Sequence, residues 1–448
     1  MRDDWIEFAG AQVPRYTSYP TAVDFDSSVT AETVKSWLSA IEEGEGLSVY
    51  VHIPFCRKLC WYCGCATSVP NGYDRIASYF DVLLKEVDLW SEQIGEGKVR
   101  HLHFGGGTPN ALSPDDFRRL TRHIRSRFRV AADAEFSVEL DPRVLSDGMI
   151  EAMADSGVTR ASLGVQTLSL PVQKAINRIQ PRSMITRHIA SLRRVGIRAL
   201  NADLMYGLPL QTEADVAEAA DYCAETGINR ISVFGYAHVP WFAKHQRAIA
   251  EADLPGLAER MRQAEVAERI FEKAGYSSIG FDHYALPTDS LAIAAADGRL
   301  RRNFQGYTDD QSRYLIGIGQ TAISGFPRGY AQGQKGLLEW RNSVLDGELP
   351  IARGIAKTGK DEMRAYAIER LLCDLKVDLG DVLHRFGYDR HEFDAALARM
   401  RQLEAHDLCV IDGLKVSVPE TARLLIRNVA AALDPRLVQA AKRHAIAG

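Results

Sequence analysis

Two kinds of apolar pattern alternate along residues 47–274. Short apolar runs rich in β-branched residues are typical of buried strands, and longer segments with apolar positions three or four apart are typical of helices. Strands are predicted at residues 47–53, 99–104, 135–140, 160–165, 199–205 and 230–234. Helices are predicted at residues 30–41, 73–94, 114–128, 146–156, 183–195, 213–226 and 256–274. The pattern is therefore six strand–helix units in series.

Serial strand–helix units with right-handed crossovers build a parallel sheet that curves toward a barrel. Eight units close a full barrel, so six predict a partial, open-sided one. Shorter strand-like pieces at 276–281 and 314–318 are expected to extend the sheet. We therefore predict an α/β fold, a partial (β/α)6 barrel with extra strands, over residues 31–355.

The two flanks differ from this pattern. Residues 1–30 show little periodicity and predict an N-terminal arm. Its proline-bracketed segment 14–21 is expected to pack on the surface through its tyrosines; the alternative is that it reaches over the site and touches substrate. From about residue 356 the composition becomes helical, with a helix at 361–373 and a hairpin at 409–416 turning at Asp412-Gly413. Residues 356–448 are therefore predicted to be a mainly helical, winged-helix-like cap. DNA binding by this cap is disfavoured because no basic recognition helix is apparent.

Composition excludes several classes of function. The formal net charge is −4 and 25% of residues are charged, so no global basic field attracts nucleic acid or anionic membrane. No run of about twenty apolar residues could span a bilayer. The N-terminal residues lack the apolar core of a secretory signal. These features predict a cytoplasmic location.

Four of the seven cysteines lie in one short segment. Cys56, Cys60 and Cys63 stand four and three residues apart, and Cys65 follows. A disulfide framework fits poorly because the cysteines are not spaced for one, and structural zinc usually needs a second ligand pair. Iron–sulfur clusters are held by thiolates, so three cysteines would hold a [4Fe–4S] cluster and leave one iron open. Zinc and reduced thiols remain alternatives. The other cysteines, Cys223, Cys373 and Cys409, are expected to be buried hydrophobes.

Polar and glycine residues gather where the predicted strands end. In parallel barrels, active sites form at the carboxyl ends of the strands. The cysteine segment follows the first strand and a glycine turn, residues 105–107, follows the second. Glu139 ends the third strand, Gln166 the fourth, and Asp203 lies in the fifth. We expect these residues to meet at one edge of the sheet. Met205 is expected to be in the core.

Taken together, these motifs resemble those of the oxygen-independent coproporphyrinogen III oxidases, a family of the radical S-adenosylmethionine (radical SAM) superfamily. The motifs are CxxxCxxCxC, Gly-Gly-Gly-Thr-Pro at 105–109, Glu-Leu-Asp-Pro at 139–142, Gly-Val-Gln at 164–166, Tyr-Ala-His at 236–238 and Asn-Phe-Gln-Gly-Tyr-Thr at 303–308. The resemblance implies that a 5′-deoxyadenosyl radical takes hydrogen from two propionates of coproporphyrinogen III. Both propionates then lose CO₂ and become vinyl groups, giving protoporphyrinogen IX.

The resemblance also implies a set of site residues. Cys56, Cys60 and Cys63 would hold the [4Fe–4S] cluster, and Cys65 would not be a ligand. Two molecules of SAM would bind; the residues implied for the cluster-bound one are Tyr50, Gly106, Glu139 and Ile323. The residues implied for the second are Tyr62, Gly107, Thr108, Gln166, Arg178, Asp203 and Ala237. The residues implied in catalysis are Tyr50, Cys65 and Glu139.

Partners follow from the same resemblance. The tetra-anionic substrate requires cations, and the candidates by charge and location are Arg15, Arg301 and Arg302. A low-potential electron donor is required, and a monomer is expected. The alternatives are a haem chaperone of the same family, a radical SAM methyltransferase acting on tetrapyrroles, and a zinc protein. Such chaperones typically lack Cys65 and the Arg15-Tyr16-Thr17 arm, which are both present here.

Overall fold

The structure, a computed structural model, describes residues 2–437. The strands are β1 (Gly46–Ile53), β2 (Lys98–Gly106), β3 (Arg129–Leu140), β4 (Arg160–Gln166), β5 (Ala199–Tyr206), β6 (Arg230–Gly235), β7 (Ser277–Ile279), β8 (His283–Ala285), β9 (Arg301–Asn303), β10 (Gly306–Thr308), β11 (Tyr314–Ile318), β12 (Ile323–Phe326), β13 (Gly329–Gly333), β14 (Ile351–Ala356), β15 (Lys376–Asp378), β16 (Val410–Asp412) and β17 (Lys415–Ser417).

The helices are α1 (Ile6–Ala9), α2 (Ala31–Leu38), α3 (Asp74–Gln93), α4 (Pro114–Arg127), α5 (Asp147–Asp155), α6 (Leu170–Ala175), α7 (Arg182–Arg194), α8 (Glu213–Glu225), α9 (Leu257–Lys273), α10 (Ser290–Ala296), α11 (Leu337–Leu345), α12 (Gly359–Asp374), α13 (Leu379–Phe386), α14 (Asp394–Glu404) and α15 (Ile426–Ala432).

One mostly parallel sheet dominates the described part of the chain. Its order is β14-β13-β12-β11-β1-β2-β3-β4-β5-β6-β8-β7, and it does not close into a barrel. Strands β1 to β6 run parallel in chain order, and β11 is parallel to β1 on the other side. The remaining strands pair antiparallel at the two ends. The predicted six-unit partial barrel with added strands is confirmed.

Local sequence signals account for the helix boundaries. The Ser113 side chain accepts a hydrogen bond from the Asp116 amide and Pro114 opens α4, as the residue types predict. Thr30 caps α2 in the same way, through the Thr33 amide. Gly196 follows α7 with φ of +94°, a conformation that glycine adopts without strain.

Several elements differ from the sequence-based expectation. Strand β3 begins at Arg129, six residues before the predicted start of its apolar run at 135. The β9–β10 hairpin and strands β12 to β14 were not predicted, because these pieces are short and contain several glycines. The turn between β16 and β17 is Gly413-Leu414 rather than Asp412-Gly413, since Asp412 still pairs with Lys415.

Two large hydrophobic clusters and a smaller third one, around Val172 and Tyr236, divide the interior of the described residues. The larger cluster lies between the sheet and helices such as α3, α4 and α7. The second combines α12 to α15 with Trp5, Tyr16 and Tyr19 of the arm. The division into domains at residues 30 and 355 stays a prediction, and residues 438–448 of the predicted cap lie outside the described residues. Within the described chain, no helix is long and apolar enough to cross a membrane.

Candidate functional site

Hydrogen bonds within the cysteine loop, between β1 and α3, and one from outside it fix its backbone. Thr67 Oγ1 donates a hydrogen bond to Cys56 Sγ at 3.3 Å, and the Cys65 amide donates to Cys63 Sγ at 3.4 Å. His245 Nε2 donates to the Cys63 carbonyl at 2.6 Å. Cys60 is buried, whereas Cys65 is exposed. The loop therefore presents its sulfurs from an ordered backbone.

Two guanidinium groups contact Cys60. Arg143 Nη2 lies 3.1 Å and Arg178 Nη1 3.3 Å from Cys60 Sγ. Asp141 pairs with Arg143 at 2.6 Å and approaches Arg178 at 3.6 Å. Burial would raise the pKa of Asp141, but the two cations outweigh it and hold that pKa below its ordinary value. Two cations and one carboxylate thus surround the Cys60 sulfur.

The glycine turn after β2 packs directly on the cysteine loop. The Gly107 amide donates to Ile53 O at 2.8 Å, and the Thr108 amide donates to Phe55 O at 2.8 Å. A Cβ on Gly107 would lie 2.5 Å from Phe55 O, so only glycine fits. Thr108 Oγ1 accepts a hydrogen bond from the Asp141 amide at 3.0 Å, so this hydroxyl is already bonded within the protein. Thr108 thus ties the ends of β2 and β3 together.

Glu139, at the end of β3, heads a chain of polar contacts. Its carboxylate accepts from His103 Nε2 at 3.0 Å and from the Gly106 amide at 3.2 Å. His103 stacks on Tyr50, with ring centroids 5.6 Å apart. Burial would raise the pKa of Glu139, but the His103 hydrogen bond and charge and the Gly106 amide outweigh it and lower that pKa. A lowered pKa keeps Glu139 anionic toward a ligand.

Asp203 and Gln166 face the same space from β5 and β4. Burial, followed by the negative charge of Glu139, raises the pKa of Asp203 to about 6. Ser162 Oγ donates to Asp203 Oδ2 at 3.1 Å. Gln166 has φ of +64°, which is strained for a residue with a side chain. Such strain is commonly found at functional sites.

One cavity of about 240 Å³ collects most of the predicted residues. Those lining it are Cys56, Cys60, Tyr62, Cys63, Cys65, Gly106, Gly107, Thr108, Glu139, Gln166, Arg178 and Asp203. Three predicted residues lie outside its lining. The Tyr50 ring stacks on His103, the Ala237 carbonyl accepts a hydrogen bond from Gln246 Nε2 at 3.2 Å, and Ile323 begins β12.

The lining also contains residues that sequence reasoning did not assign. Arg143, Ser162, Thr67 and Phe234 belong to this group. Met205, expected in the core, is half-buried and lines the cavity. Arg143 follows the Glu-Leu-Asp-Pro motif directly, and this proximity was the one available signal for it.

The donor set fits an iron–sulfur cluster. Cys56, Cys60 and Cys63 line one cavity together with Cys65, and hydrogen bonding from Cys65 lowers the pKa of Cys63 to about 6 against the effect of burial. Burial raises the pKa of Cys56 to about 11, so metal binding there would displace a proton. Among residues 2–437, no three metal-ligating side chains are grouped around one point. A cluster does not require such grouping, because each thiolate binds a different iron.

Comparison with known proteins completes the description. Residues 50–223 match the model of the radical SAM superfamily. The chain is 43% identical to the oxygen-independent coproporphyrinogen III oxidase of Bradyrhizobium diazoefficiens over 99% of each chain. It is 36% identical to the enzyme of the same name from Escherichia coli, over 96% of this chain and 94% of the relative.

A solved structure agrees with these relatives. The chain is similar to coproporphyrinogen III oxidase from Escherichia coli, described as a radical SAM enzyme. The TM-score is 0.90 at 35% sequence identity, and the match covers 95% of this chain and 100% of the other. The similarity therefore extends over nearly the whole chain.

Proposed function

Because this chain belongs to the family of oxygen-independent coproporphyrinogen III oxidases, we propose that it converts two propionates of coproporphyrinogen III to vinyl groups, giving protoporphyrinogen IX. Membership of the radical SAM superfamily implies a [4Fe–4S] cluster and SAM. The single observation that carries the proposal is the cavity in which four cysteines, two arginines and the Glu139 carboxylate converge. The relatives are oxidases by name, which does not favour the chaperone or methyltransferase alternatives.

The residues at the site would have distinct roles. Cys56, Cys60 and Cys63 would hold the cluster, which with SAM supplies the radical chemistry that removes hydrogen from the substrate. Glu139 offers an anionic acceptor suited to an ammonium or ribose hydroxyl. Arg143 and Arg178 compensate the negative charge of bound thiolates. Cys65, exposed at the cavity, stays a predicted catalytic residue.

Two SAM molecules are part of the proposal. The support is that residues predicted for each molecule line the same cavity, with Glu139 on one strand and Asp203 two strands away. Each carboxylate could receive one ligand. Equilibrium dialysis of labelled SAM against the reconstituted protein tests this stoichiometry, and a plateau at one per chain would contradict it.

Substrate carboxylates require cations, and the structure separates the three candidates. Arg301 pairs with Glu369 at 2.8 Å. Arg302 lies over the Tyr307 and Phe281 rings at 4.4 and 5.0 Å, and within the described chain its Nε and Nη1 are buried without a hydrogen-bond partner. Its Nη2 donates to Arg15 O at 3.2 Å. Arg302 is therefore the stronger candidate.

Arg15 and Arg302 lie between two cavities. The Arg15 guanidinium is over Phe234, which lines the cysteine cavity. Arg302 lines a larger cavity of about 840 Å³ between the arm, the β9–β10 hairpin and α12. A volume of that size suits a large organic ligand. We propose that these two arginines receive a substrate carboxylate. Arg302→Met should raise KM about tenfold or more with kcat largely kept, while Arg301→Met changes KM less.

The deciding experiment is anaerobic reconstitution. The protein is loaded with iron and sulfide and incubated with SAM, dithionite and coproporphyrinogen III, and product is followed by chromatography. Vinyl product with 5′-deoxyadenosine is expected. Cys60→Ser should lose both the visible thiolate-to-iron absorbance and turnover. Cys65→Ser should keep the absorbance and lose turnover. Methylated product, or haem binding without decarboxylation, would overturn the proposal.

A further inference from the structure

The turn between β11 and β12, residues 319–322, lies beside the start of the cysteine loop. Strand β11 runs parallel to β1, and Ile318 at its end pairs with Val51. Both strands therefore end at the same edge of the sheet, where the cysteine loop begins. Ile323, which the family resemblance implies for the cluster-bound SAM, follows the turn directly. The position of this turn therefore affects the site.

Two side chains of α3 bind the first two amides of the turn. The Gly319 amide donates to Glu86 Oε2 at 2.9 Å, and the Gln320 amide donates to the Tyr79 hydroxyl at 3.1 Å. Tyr79 and Glu86 are seven positions apart, which is two turns of helix, so both project from the same face of α3. The turn is therefore fastened to α3 through side chains.

The Tyr79 hydroxyl also joins the turn to β1. It donates to His52 O at 2.9 Å while it accepts from Gln320. A Cβ on Gly319 would lie 2.6 Å from His52 O and 2.6 Å from the Tyr79 hydroxyl, so this close approach requires glycine. The His52 ring in turn reaches the cysteine loop, with Nε2 3.2 Å from Ala66 O. One hydroxyl thus connects α3, the turn and the end of β1.

Aromatic side chains hold Tyr79 and Glu86 in place. Trp340 of α11 stacks on Tyr79 with ring centroids 4.4 Å apart, and its Nε1 donates to Glu86 Oε2 at 2.7 Å. Trp90 Nε1 donates to Glu86 Oε1 at 3.2 Å. Phe55, just before the first cysteine, packs edge-on against Tyr79 at 5.3 Å. All five side chains are buried, so neither polar group can move independently.

Stability alone does not explain a carboxylate at position 86. Its three hydrogen-bond donors are neutral N–H groups, and burial raises the pKa of Glu86 to about 7. Replacing buried ionic groups by apolar side chains of similar volume is often neutral or stabilising. What Glu86 provides is an acceptor at a fixed place for the amide of Gly319.

We propose that Tyr79 and Glu86 are positioning residues for SAM, because they hold the turn 319–322 against the end of β1 before the ligand binds. The proposal rests on the proposed function, from which SAM and its contact with Ile323 follow. Neither side chain lines the cysteine cavity, so both act through the backbone that they hold. A turn that is loose in the free protein has to be ordered on binding, and this cost lowers affinity.

The test measures SAM affinity on the reconstituted full chain. SAM is added to the dithionite-reduced protein, and the electron paramagnetic resonance spectrum of the cluster reports the molecule bound there. Tyr79→Phe keeps the ring packing and removes the shared hydroxyl, so the Kd should rise about threefold to tenfold with kcat at saturating SAM largely kept. Glu86→Met leaves the Gly319 amide without its acceptor and should raise the Kd about tenfold or more.

Tyr276→Phe is the matched control. The Tyr276 hydroxyl is also buried and donates to a backbone carbonyl, that of Ile228, at 2.6 Å. Ile228 precedes β6 and therefore lies at the opposite edge of the sheet. Both Tyr→Phe variants lose one buried hydrogen bond, so a Kd that followed overall stability would rise in both. An unchanged Kd in Tyr79→Phe or Glu86→Met, or an equal rise in Tyr276→Phe, would overturn the proposal.

The SAM titration is independent of turnover, and this separates the two proposals. If wild-type protein gives no vinyl product, the proposed function fails, while the titration still decides the role of Tyr79 and Glu86. If wild-type protein turns over and the two variants bind SAM as tightly as it does, the positioning proposal alone is wrong.

Discussion

The negative charge of Glu139 is stabilised by neighbouring groups. His103 donates to the carboxylate and also lies 2.6 Å, Nδ1 to Oγ, from Ser137 on the neighbouring strand. Tyr50 hydroxyl lies 3.0 Å from His52 Nδ1. These side chains fill the barrel interior with a hydrogen-bonded network, so Glu139 is oriented before any ligand arrives. Preorganisation of this kind strengthens binding because less order must be imposed on association.

Substituting Glu139 should weaken SAM binding without unfolding the protein. Glu139→Gln removes the charge that a ligand ammonium or hydroxyl would meet, and a charged hydrogen bond contributes about 1.5–3 kcal/mol. We expect the Kd for SAM to rise about tenfold to a hundredfold, measured by equilibrium dialysis. Glu135→Gln, on the same strand and outside the cavity lining, is the control. Equal Kd values for Glu139→Gln and wild type would contradict the assignment.

Asp203 should give stability a pH dependence. Because the pKa of Asp203 is raised in the folded state, folding favours the neutral acid. Asp203 therefore contributes fully to stability at pH values below its unfolded-state pKa, which is near 4. The contribution is lost as the pH rises through about 6. Asp203→Asn should therefore gain stability relative to wild type over that window, by on the order of 2 kcal/mol. Urea unfolding of both proteins at several pH values measures this difference. A difference in unfolding free energy that does not change with pH would refute the prediction.

Between elements, one tight constraint is the contact of the glycine turn with the cysteine loop. The turn ends β2 and the loop follows β1, and these two strands are neighbours in the sheet. Gly107 brings the two backbones close, and Gly106 has φ of +111°. The position of the cysteines therefore depends on residues some forty positions later in the chain.

An alanine at Gly107 should disturb the cysteine loop. Its Cβ would lie 2.4 Å from Thr67 Oγ1 and 2.5 Å from Phe55 O, so backbone must move. We expect the iron content after reconstitution to fall by about half or more, since overpacking typically costs 1–3 kcal/mol. Gly64→Ala is a matched control within the loop, because its Cβ would meet nothing within 4 Å. Equal iron loading of both variants would show that the contact is unimportant.

Across the whole protein, the N-terminal arm is built into the C-terminal core. Tyr16 and Tyr19 are buried with residues of α12 to α15, although more than 300 positions separate them in the chain. Tyr16 hydroxyl donates to Asp434 Oδ2 at 3.1 Å. The arm also places the Arg15 guanidinium over the Phe234 ring. Its packing through tyrosines, expected from the sequence, is confirmed.

The two tyrosines should respond differently to loss of the hydroxyl. Tyr16→Phe leaves a buried Asp434 oxygen without its donor and should cost about 1–2 kcal/mol of unfolding free energy. The Tyr19 hydroxyl is buried and has no hydrogen-bond partner among the described residues, so Tyr19→Phe should be neutral or stabilising. Guanidinium unfolding of both variants measures the contrast. A larger loss for Tyr19→Phe would contradict this account of the arm.

Much of the fold follows from local signals. The periods of the apolar pattern predicted six parallel strands and their helices, because burial on both faces of a strand and on one face of a helix leaves distinct periodicities. Ser113 and Gly196 marked helix ends through caps that depend on adjacent residues. The β9–β10 hairpin left no such trace, since strands of three residues are too short to show a period.

The site residues could be predicted from the sequence where they lie in contiguous motifs. The cysteine spacing, the glycine turn and Glu139 could be found in the amino-acid sequence because each motif is local and each follows a strand whose end was predictable. Three contacts could not be predicted from the sequence: that of Arg143 with Cys60, that of His103 with Glu139, and that of Arg15 with Arg302. These contacts join residues that are far apart in the chain, and their distances depend on how strands twist and loops pack.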